Sequence, residues 1–311
     1  MLHGRKRPGL FVPNGEPPRI KVSMATGRIH MPSRIRTAVI PAGGLGTRLL
    51  PLTRAVPKEL LPVWKRPVLD YAIEEAAAAG IERVVIITAP GKEALQAYFG
   101  DGRLTYDCAP KGLTLDFVEQ REPRGLGDAV RQGAPAGEPI AVLLPDELLI
   151  GPNCLAQLLE RRQSDGGSAI AVKRVPRTEV NRYGIVDVDG DAGSAWRVRS
   201  VIEKPHPDIA PSDLAVIGRY VLDEEVLERL QGALPTLNGE VQLTDSIAAT
   251  CRSAGVSAVR YDGRRFDCGN FAGLLQANIA VSQLDDTPVA APRPPVEPAA
   301  TQPAAAEVSA A

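Results

Sequence analysis

A short apolar run that stops abruptly in a glycine-rich loop constrains this chain more than any other feature. Thr37-Ala38-Val39-Ile40-Pro41 reads as a buried strand, and Ala42-Gly43-Gly44-Leu45-Gly46-Thr47-Arg48 follows at once. A strand feeding such a loop, with helical sequence beyond, opens a layered α/β fold. Glycine at 43, 44 and 46 lets backbone N–H groups approach an anion closely and adopt positive φ. Successive N–H groups of that kind form a phosphate nest, and Arg48 adds a forked phosphate donor. The glycines by themselves also fit a tight strand-to-helix turn. A Walker A loop is excluded because no Gly-Lys-Ser/Thr follows, and a dinucleotide fingerprint is poor because Leu49 fills its third glycine position.

The alternation of elements continues downstream. Pro67 opens an amphipathic helix whose apolar residues Val68, Leu69, Ala72, Ile73 and Ala76 recur at helical spacing, and Gly80 ends it. Buried strands are predicted at 84–88 and 140–144, with a further strand at 115–118 and helices at 92–99 and 127–133. This half is therefore α/β with a largely parallel sheet. Beyond residue 168 short strands follow one another at 168–174, 184–188, 198–203 and 214–222, with helices near 223–231 and 243–254. Residues 1–36 are rich in Pro, Gly, Arg and Lys with a lone acid at Glu16, and read as a disordered basic leader. Met24 or Met31 is an alternative start, and a partner-binding or nucleic-acid arm is the alternative use of that segment. A Pro/Ala-rich tail is expected over 286–311, which leaves 37–285 as the folded domain.

Composition narrows the chemistry. A net charge of -1 over 311 residues lacks the basic footprint of a nucleic-acid binder. No run of about 18 apolar residues suggests a membrane span. Cys108, Cys154, Cys251 and Cys268 form no CxxC unit, which argues against structural zinc and a disulfide scaffold. His3 and His30 fall in the leader, so His206 is the one histidine of the body. Catalysis is left to carboxylates, Lys, Arg and a hard metal ion.

Several residues suit that chemistry. Asp146 follows a buried strand at the edge where open α/β sheets bind ligands; it either caps the next helix or joins a magnesium site. Gln120 offers both a donor and an acceptor. Lys58 is a mobile charge suited to a triphosphate or an ordinary surface lysine, and Glu203-Lys204 before Pro205 also fits a solvated strand end.

Taken in order, the motifs are more specific. Ala38 to Pro51, followed by Pro57-Lys58-Glu59-Leu60-Leu61-Pro62, resembles the start of the sugar nucleotidyltransferase family, most closely its uridylyltransferase branch. The paired Gly43-Gly44 is slightly more like the thymidylyltransferase relatives. Further segments match: Glu119-Gln120 with Gly125-Leu126-Gly127-Asp128-Ala129, Leu143-Leu144-Pro145-Asp146, Tyr183-Gly184-Ile185-Val186, Val201-Ile202-Glu203-Lys204-Pro205, Leu214 to Tyr220, Gly239 to Asp245, and Phe266-Asp267-Cys268-Gly269-Asn270. The resemblance covers about residues 37 to 284.

It implies a Rossmann-like nucleotidyltransferase fold, with a mixed, mostly parallel central sheet flanked by helices and a β-rich sugar-side lobe. It implies a cytoplasmic, Mg²⁺-dependent transfer of uridylate from UTP to glucose 1-phosphate by a homo-oligomer, dimer or tetramer, with no nucleic-acid or membrane partner. The alternatives are dTTP, another sugar 1-phosphate, or a catalytically silent nucleotide-binding relative. By resemblance Ala42, Gly43, Gly44, Gly46, Thr47, Gln120, Gly125 and Gly127 bind the nucleotide. Arg48, Lys58 and Lys204 are catalytic. Gly184, Glu203, Lys204 and Gly218 hold the sugar phosphate, and Asp146 and Asp267 hold the metal. The stretch from Phe99 to Phe117 is shorter than the resemblance leads one to expect, on the base-binding side.

Overall fold

A computed structural model of the chain describes residues 33–100, 112–190 and 193–284. Residues 1–32 of the expected leader, with Met24 and Met31, the tail over 286–311, and most of the short stretch before Phe117 lie outside the described residues.

Strand β1 (Thr37–Pro41) runs into the glycine loop and three single 3-10 turns, then a small hairpin of β2 (Pro62–Val63) and β3 (Arg66–Pro67). Helix α1 (Val68–Ala78), β4 (Arg83–Thr88), α2 (Glu93–Gly100), β5 (Thr114–Glu119), α3 (Gly125–Gly133) and β6 (Ile140–Leu143) complete the alternating half. Then come β7 (Glu147–Ile150), α4 (Cys154–Asp165), β8 (Ser168–Arg174), a 3-10 segment Arg177–Arg182, β9 (Gly184–Val188), β10 (Ala195–Glu203) and β11 (Leu214–Leu222). The described chain closes with α5 (Glu224–Gln231), α6 (Leu243–Thr250), β12 (Val256–Arg260), β13 (Arg264–Asp267) and α7 (Phe271–Ser282). Elements β2, β3, β7, α4, β12, β13 and α7 were not expected from the sequence.

Nine strands form one sheet in the order β5-β4-β1-β6-β11-β8-β12-β10-β9. Strands β5, β4, β1 and β6 are mutually parallel, as the alternation predicts. The whole sheet is mixed rather than mostly parallel, because four pairings are parallel and five antiparallel. Parallel neighbours need long crossovers. Only six residues separate β9 from β10, too few for such a crossover, and that pair is antiparallel.

Apolar layers cover both sheet faces, which explains the continuous apolar run of β1. Val39 packs with Val85, Val142 and residues of α3, α5 and α6. Ala38 and Ile40 point the other way, to Leu69, Ile73, Leu95 and Leu155 of α1, α2 and α4. The C-terminal ends of β1, β4, β5 and β6 thereby share one edge of a rigid sheet. Ser33 to Arg36 already pack on this unit: Ile35 is buried, and the Arg36 carbonyl accepts from the Glu82 and Arg83 N–H groups.

Candidate active site

The glycine loop leaves β1 at that edge. Gly46 sits at φ 66°, and a Cβ there would stand 2.8 Å from Thr53 Cγ2, so only glycine suits the turn. Thr53 Oγ1 donates to the Gly46 carbonyl at 2.9 Å. Beneath the loop, Lys92 Nζ donates to the carbonyls of Ala42 (2.5 Å) and Gly44 (2.7 Å) and to both Glu59 oxygens (2.8 and 3.0 Å). Lys92 is 8% exposed and Glu59 0%. Burial draws the Lys92 ammonium down and pushes the Glu59 carboxyl up, and their mutual attraction opposes both shifts. The clamp turns the loop carbonyls inward. Among the described residues, the N–H groups of Gly43, Gly44, Leu45 and Gly46 donate to no protein acceptor, as a phosphate nest requires.

Two carboxylates meet opposite the loop. Asp146 follows β6, and Asp267 ends β13, whose ladder with β7 sets Glu147 opposite Asp267. The Asp146 carbonyl accepts from the Cys268 N–H at 2.8 Å, which ties the two acidic loops together. Lys58 Nζ donates to Asp146 Oδ2 at 2.5 Å. Arg48 reaches Asp267 Oδ2 at 3.2 Å, and Arg182 reaches the same oxygen at 3.4 Å. Burial pushes the Asp146 carboxyl up, but Lys58, with a smaller pull from Arg48, holds it below the usual carboxylate range. Glu147 is clamped by Arg265 through two bonds of 2.5 Å, so it is already fully engaged.

Gly269 decides whether the two aspartates suit a metal. The point where its Cβ would stand lies 2.9 Å from Asp146 Oδ2, 3.0 Å from Asp267 Oδ1 and 2.6 Å from Arg48 Nη2. The carboxylates therefore face one space, kept open by the absent side chain. Two hard oxygen donors beside a phosphate nest fit Mg²⁺, which takes one or two carboxylates plus substrate phosphates. Among the described residues no third free acid joins them.

Two cavities flank this point. One, of about 440 Å³, is lined by Gly43, Gly44, Gly46, Thr47, Lys58, Gln120 and Gly125. The other, of about 310 Å³, is lined by Arg48, Gly184, Glu203, Lys204, Gly218 and Thr244. Asp146, Leu144, Gly125, Leu126 and Glu240 belong to both, so the cavities meet at a carboxylate. In the second cavity a Cβ at Gly184 would lie 3.0 Å from Thr244 Cγ2 and 3.3 Å from Glu203 Oε2. Thr244 Oγ1 donates to that Glu203 oxygen at 3.1 Å. Lys204 adopts φ 45°, a left-handed conformation that costs a non-glycine residue energy and concentrates at functional sites. Its N–H donates to the Tyr183 carbonyl at 2.9 Å, while Nζ stands 3.3 Å from Glu203 Oε1. Gly218, at φ 69°, occupies the register shift in β11 between Val216 and Tyr220.

Most residues singled out from the sequence thus converge on one cleft. Ala42 and Gly127 do not line it. The Ala42 N–H donates to the Ile87 carbonyl and its own carbonyl to Lys92 is an acceptor, so neither group is left for a nucleotide. Gly127 lies behind the cleft. Its N–H donates to the Val241 carbonyl at 2.9 Å, and a Cβ would stand 2.7 Å from that oxygen, so its glycine serves helix packing. Sequence reasoning missed Lys92 and Arg182, quoted Glu59 without a role, and took Glu240 and Thr244 only as members of the matching segment Gly239 to Asp245, with no role assigned. A buried-looking acid in Leu-rich sequence beside Lys58 was the one available sign of the Lys92 clamp.

The Nucleotidyl transferase family profile matches residues 37–283. A UTP–glucose-1-phosphate uridylyltransferase of Streptococcus pyogenes serotype M3 is 37% identical over 269 residues, covering 79% of this chain and 88% of the relative. One from Bacillus subtilis is 36% identical over 272 residues, 82% of this chain and 92% of the relative. Among solved structures, a UDP-glucose pyrophosphorylase complexed with UDP-glucose superposes with a TM-score of 0.75 at 33% identity, covering 81% of this chain and all of that one. A UTP-bound enzyme of the same name from Acinetobacter baumannii gives 0.72 at 33% identity, covering 81% and 95%.

Proposed function

The chain belongs to the nucleotidyl transferase family, and from that premise we propose that it transfers the uridylyl group of UTP to glucose 1-phosphate, releasing UDP-glucose and pyrophosphate. The observation that carries the reading is the meeting of two cavities at Asp146, one under a glycine loop and one rich in sugar-type donors and acceptors. The names of the relatives support the choice of substrates.

The reaction needs little proton chemistry. A phosphate monoester is already ionised at neutral pH, since its second pKa is about 6. A phosphate oxygen of the sugar phosphate attacks the α-phosphorus of UTP, the bond to the β-phosphate oxygen breaks, and pyrophosphate leaves with that electron pair. No general base is required, in keeping with cavities that, among the described residues, no histidine lines. Bringing two polyanions together is the main barrier, so positioning and charge neutralisation carry the rate. The free N–H groups of Gly43, Gly44 and Gly46 receive the triphosphate, with Thr47 beside them. Arg48 and Lys58, each shared with a carboxylate, neutralise the triphosphate and the departing pyrophosphate. Lys204 meets the incoming sugar phosphate, and Glu203 accepts from sugar hydroxyls where Gly184 and Gly218 leave room. Asp146 and Asp267 would hold Mg²⁺, which would supply positive charge to neutralise the phosphates.

Three buried, unpaired thiols at Cys154, Cys251 and Cys268 and a nucleoside triphosphate substrate both suit a reducing cytoplasm. Among the described residues no helix is long and apolar enough to cross a membrane. An exposed apolar stripe on α7, comprising Phe271, Leu275 and Ile279, supports a homo-oligomer.

The test is pyrophosphate release with Mg²⁺, pairing UTP or dTTP with glucose 1-phosphate or galactose 1-phosphate. The fastest turnover is expected with UTP and glucose 1-phosphate, and Lys204→Ala should lower kcat/KM by about 10²-fold or more. Preference for another pair would change the substrates, and an unaltered Lys204→Ala enzyme would remove that lysine from the mechanism.

A further inference from the structure

Gln120 lines the nucleotide cavity, but its amide is not free to turn. Its Nε2 donates to Asp128 Oδ2 at 2.6 Å and lies 3.4 Å from the Gly125 carbonyl. Both amide protons are therefore turned to these two acceptors. Asp128 is itself held from three sides. Gln132 Nε2 donates to Oδ2 at 2.6 Å, while Arg131 donates to Oδ1 at 3.0 Å through Nε and 2.6 Å through Nη2. Burial would raise the Asp128 carboxyl, but the bonds from Gln120, Arg131 and Gln132 hold it below the usual range. An ionised carboxylate only accepts, so Asp128 can face the NH₂ end of Gln120 and not its oxygen.

The other end of the amide has a different fate. Gln120 Oε1 lies 3.2 Å from the point where a Cβ of Gly43 would stand, over the cavity wall. Among the described residues nothing donates to it. The cleft thus presents a lone acceptor at the end away from the carboxylate pair.

We propose that Asp128, which does not line the nucleotide cavity, is a positioning residue that fixes the polarity of Gln120 so that the site selects pyrimidines carrying an imide N–H and rejects cytosine. Uracil and thymine both offer an N3–H donor between two carbonyls. Cytosine offers a bare N3 at that position, and two acceptors then face each other unsatisfied. Such a mismatch in a buried polar site discriminates strongly. A methyl group is invisible to this device, so it separates UTP and dTTP from CTP but not from each other. The inference rests on the proposed pairing of Gln120 with the base.

The test is the affinity of the protein for UTP, dTTP and CTP, read by calorimetry in wild type and in Asp128→Asn. Asparagine can donate as well as accept, so Gln120 becomes able to turn its NH₂ end to the base. The ratio of CTP to UTP dissociation constants should fall by about tenfold or more, while the dTTP to UTP ratio stays fixed. Arg131→Gln, which loosens α3 but leaves the Asp128–Gln120 bond, should keep the wild-type ratios. Asp128→Ser gives the same reading should the asparagine variant not fold. A wild type that binds UTP and CTP alike overturns the proposal. So does a position-128 variant whose three affinities weaken in parallel. Pyrophosphate release by the wild type reports separately on the reaction, because the affinities are readable whether or not turnover occurs.

Discussion

A buried ammonium has three protons to place, and Lys92 gives them to the Ala42 and Gly44 carbonyls and to Glu59. The shape of the glycine loop therefore depends on a side chain that lines neither cavity. Replacing Lys92 by Met frees those carbonyls and should raise the KM for UTP by about tenfold or more, an effect of one or two charged hydrogen bonds. It also strands Glu59 in the interior, at a cost of about 3–5 kcal/mol. The Lys92→Met/Glu59→Gln pair should then melt above Lys92→Met alone while its KM for UTP stays high, which thermal melts and steady-state kinetics would show. At Gly269 the expectation is reversed. An added methyl enters the space between Asp146 and Asp267, so Gly269→Ala should weaken Mg²⁺ activation by about tenfold or more. A Mg²⁺ titration at saturating substrates measures it. Asp146 and Lys58 were legible in the sequence because one follows a buried strand and the other sits in a long ordered motif. Lys92 was not, because its partner Glu59 lies 33 residues away and only packing brings them together.

Elements fail for different reasons than residues. Helix α4 escaped sequence reading because charges interrupt its apolar positions. Arg162 occupies one of them, buried through its pairing with Asp223 and the Ser33 carbonyl. Helix α7 has apolar residues on most sides, which blurs its period. Strands β7 and β13 are four residues each and, among the described residues, pair only with one another, yet they place Asp146 and Asp267 together. Their function is visible in register and invisible in propensity. Helix α3 carries the pH-dependent prediction. Asp128 has a folded-state pKa below its unfolded value of about 3.9. Its contribution to stability is complete above that unfolded value and is lost as pH falls through the folded one. The difference in Tm between wild type and Asp128→Asn should therefore be constant near neutrality and shrink below about pH 4. A difference that persists unchanged into acid would show that the carboxylate is not what anchors the helix.

At the scale of the molecule, the sheet divides the work. Its parallel half delivers the glycine loop, Gln120 and Asp146 to one edge, and that half was legible because strand and helix alternate there. The other half, mixed in direction, brings Gly184, Glu203, Lys204 and Gly218 to the same cleft. Its topology was not legible, because short strands in succession leave their pairing partners open. The cleft exists only where the halves join, across the β6–β11 pairing.

That arrangement predicts direct transfer between two substrates bound at once, with no covalent uridylyl–enzyme. The most direct test is isotope exchange from labelled pyrophosphate into UTP, alongside detection of UDP-glucose, in the presence of Mg²⁺. UDP-glucose should form, and label should enter UTP only when glucose 1-phosphate or UDP-glucose is present. Exchange with UTP alone, or no product from UTP and glucose 1-phosphate, would contradict direct transfer.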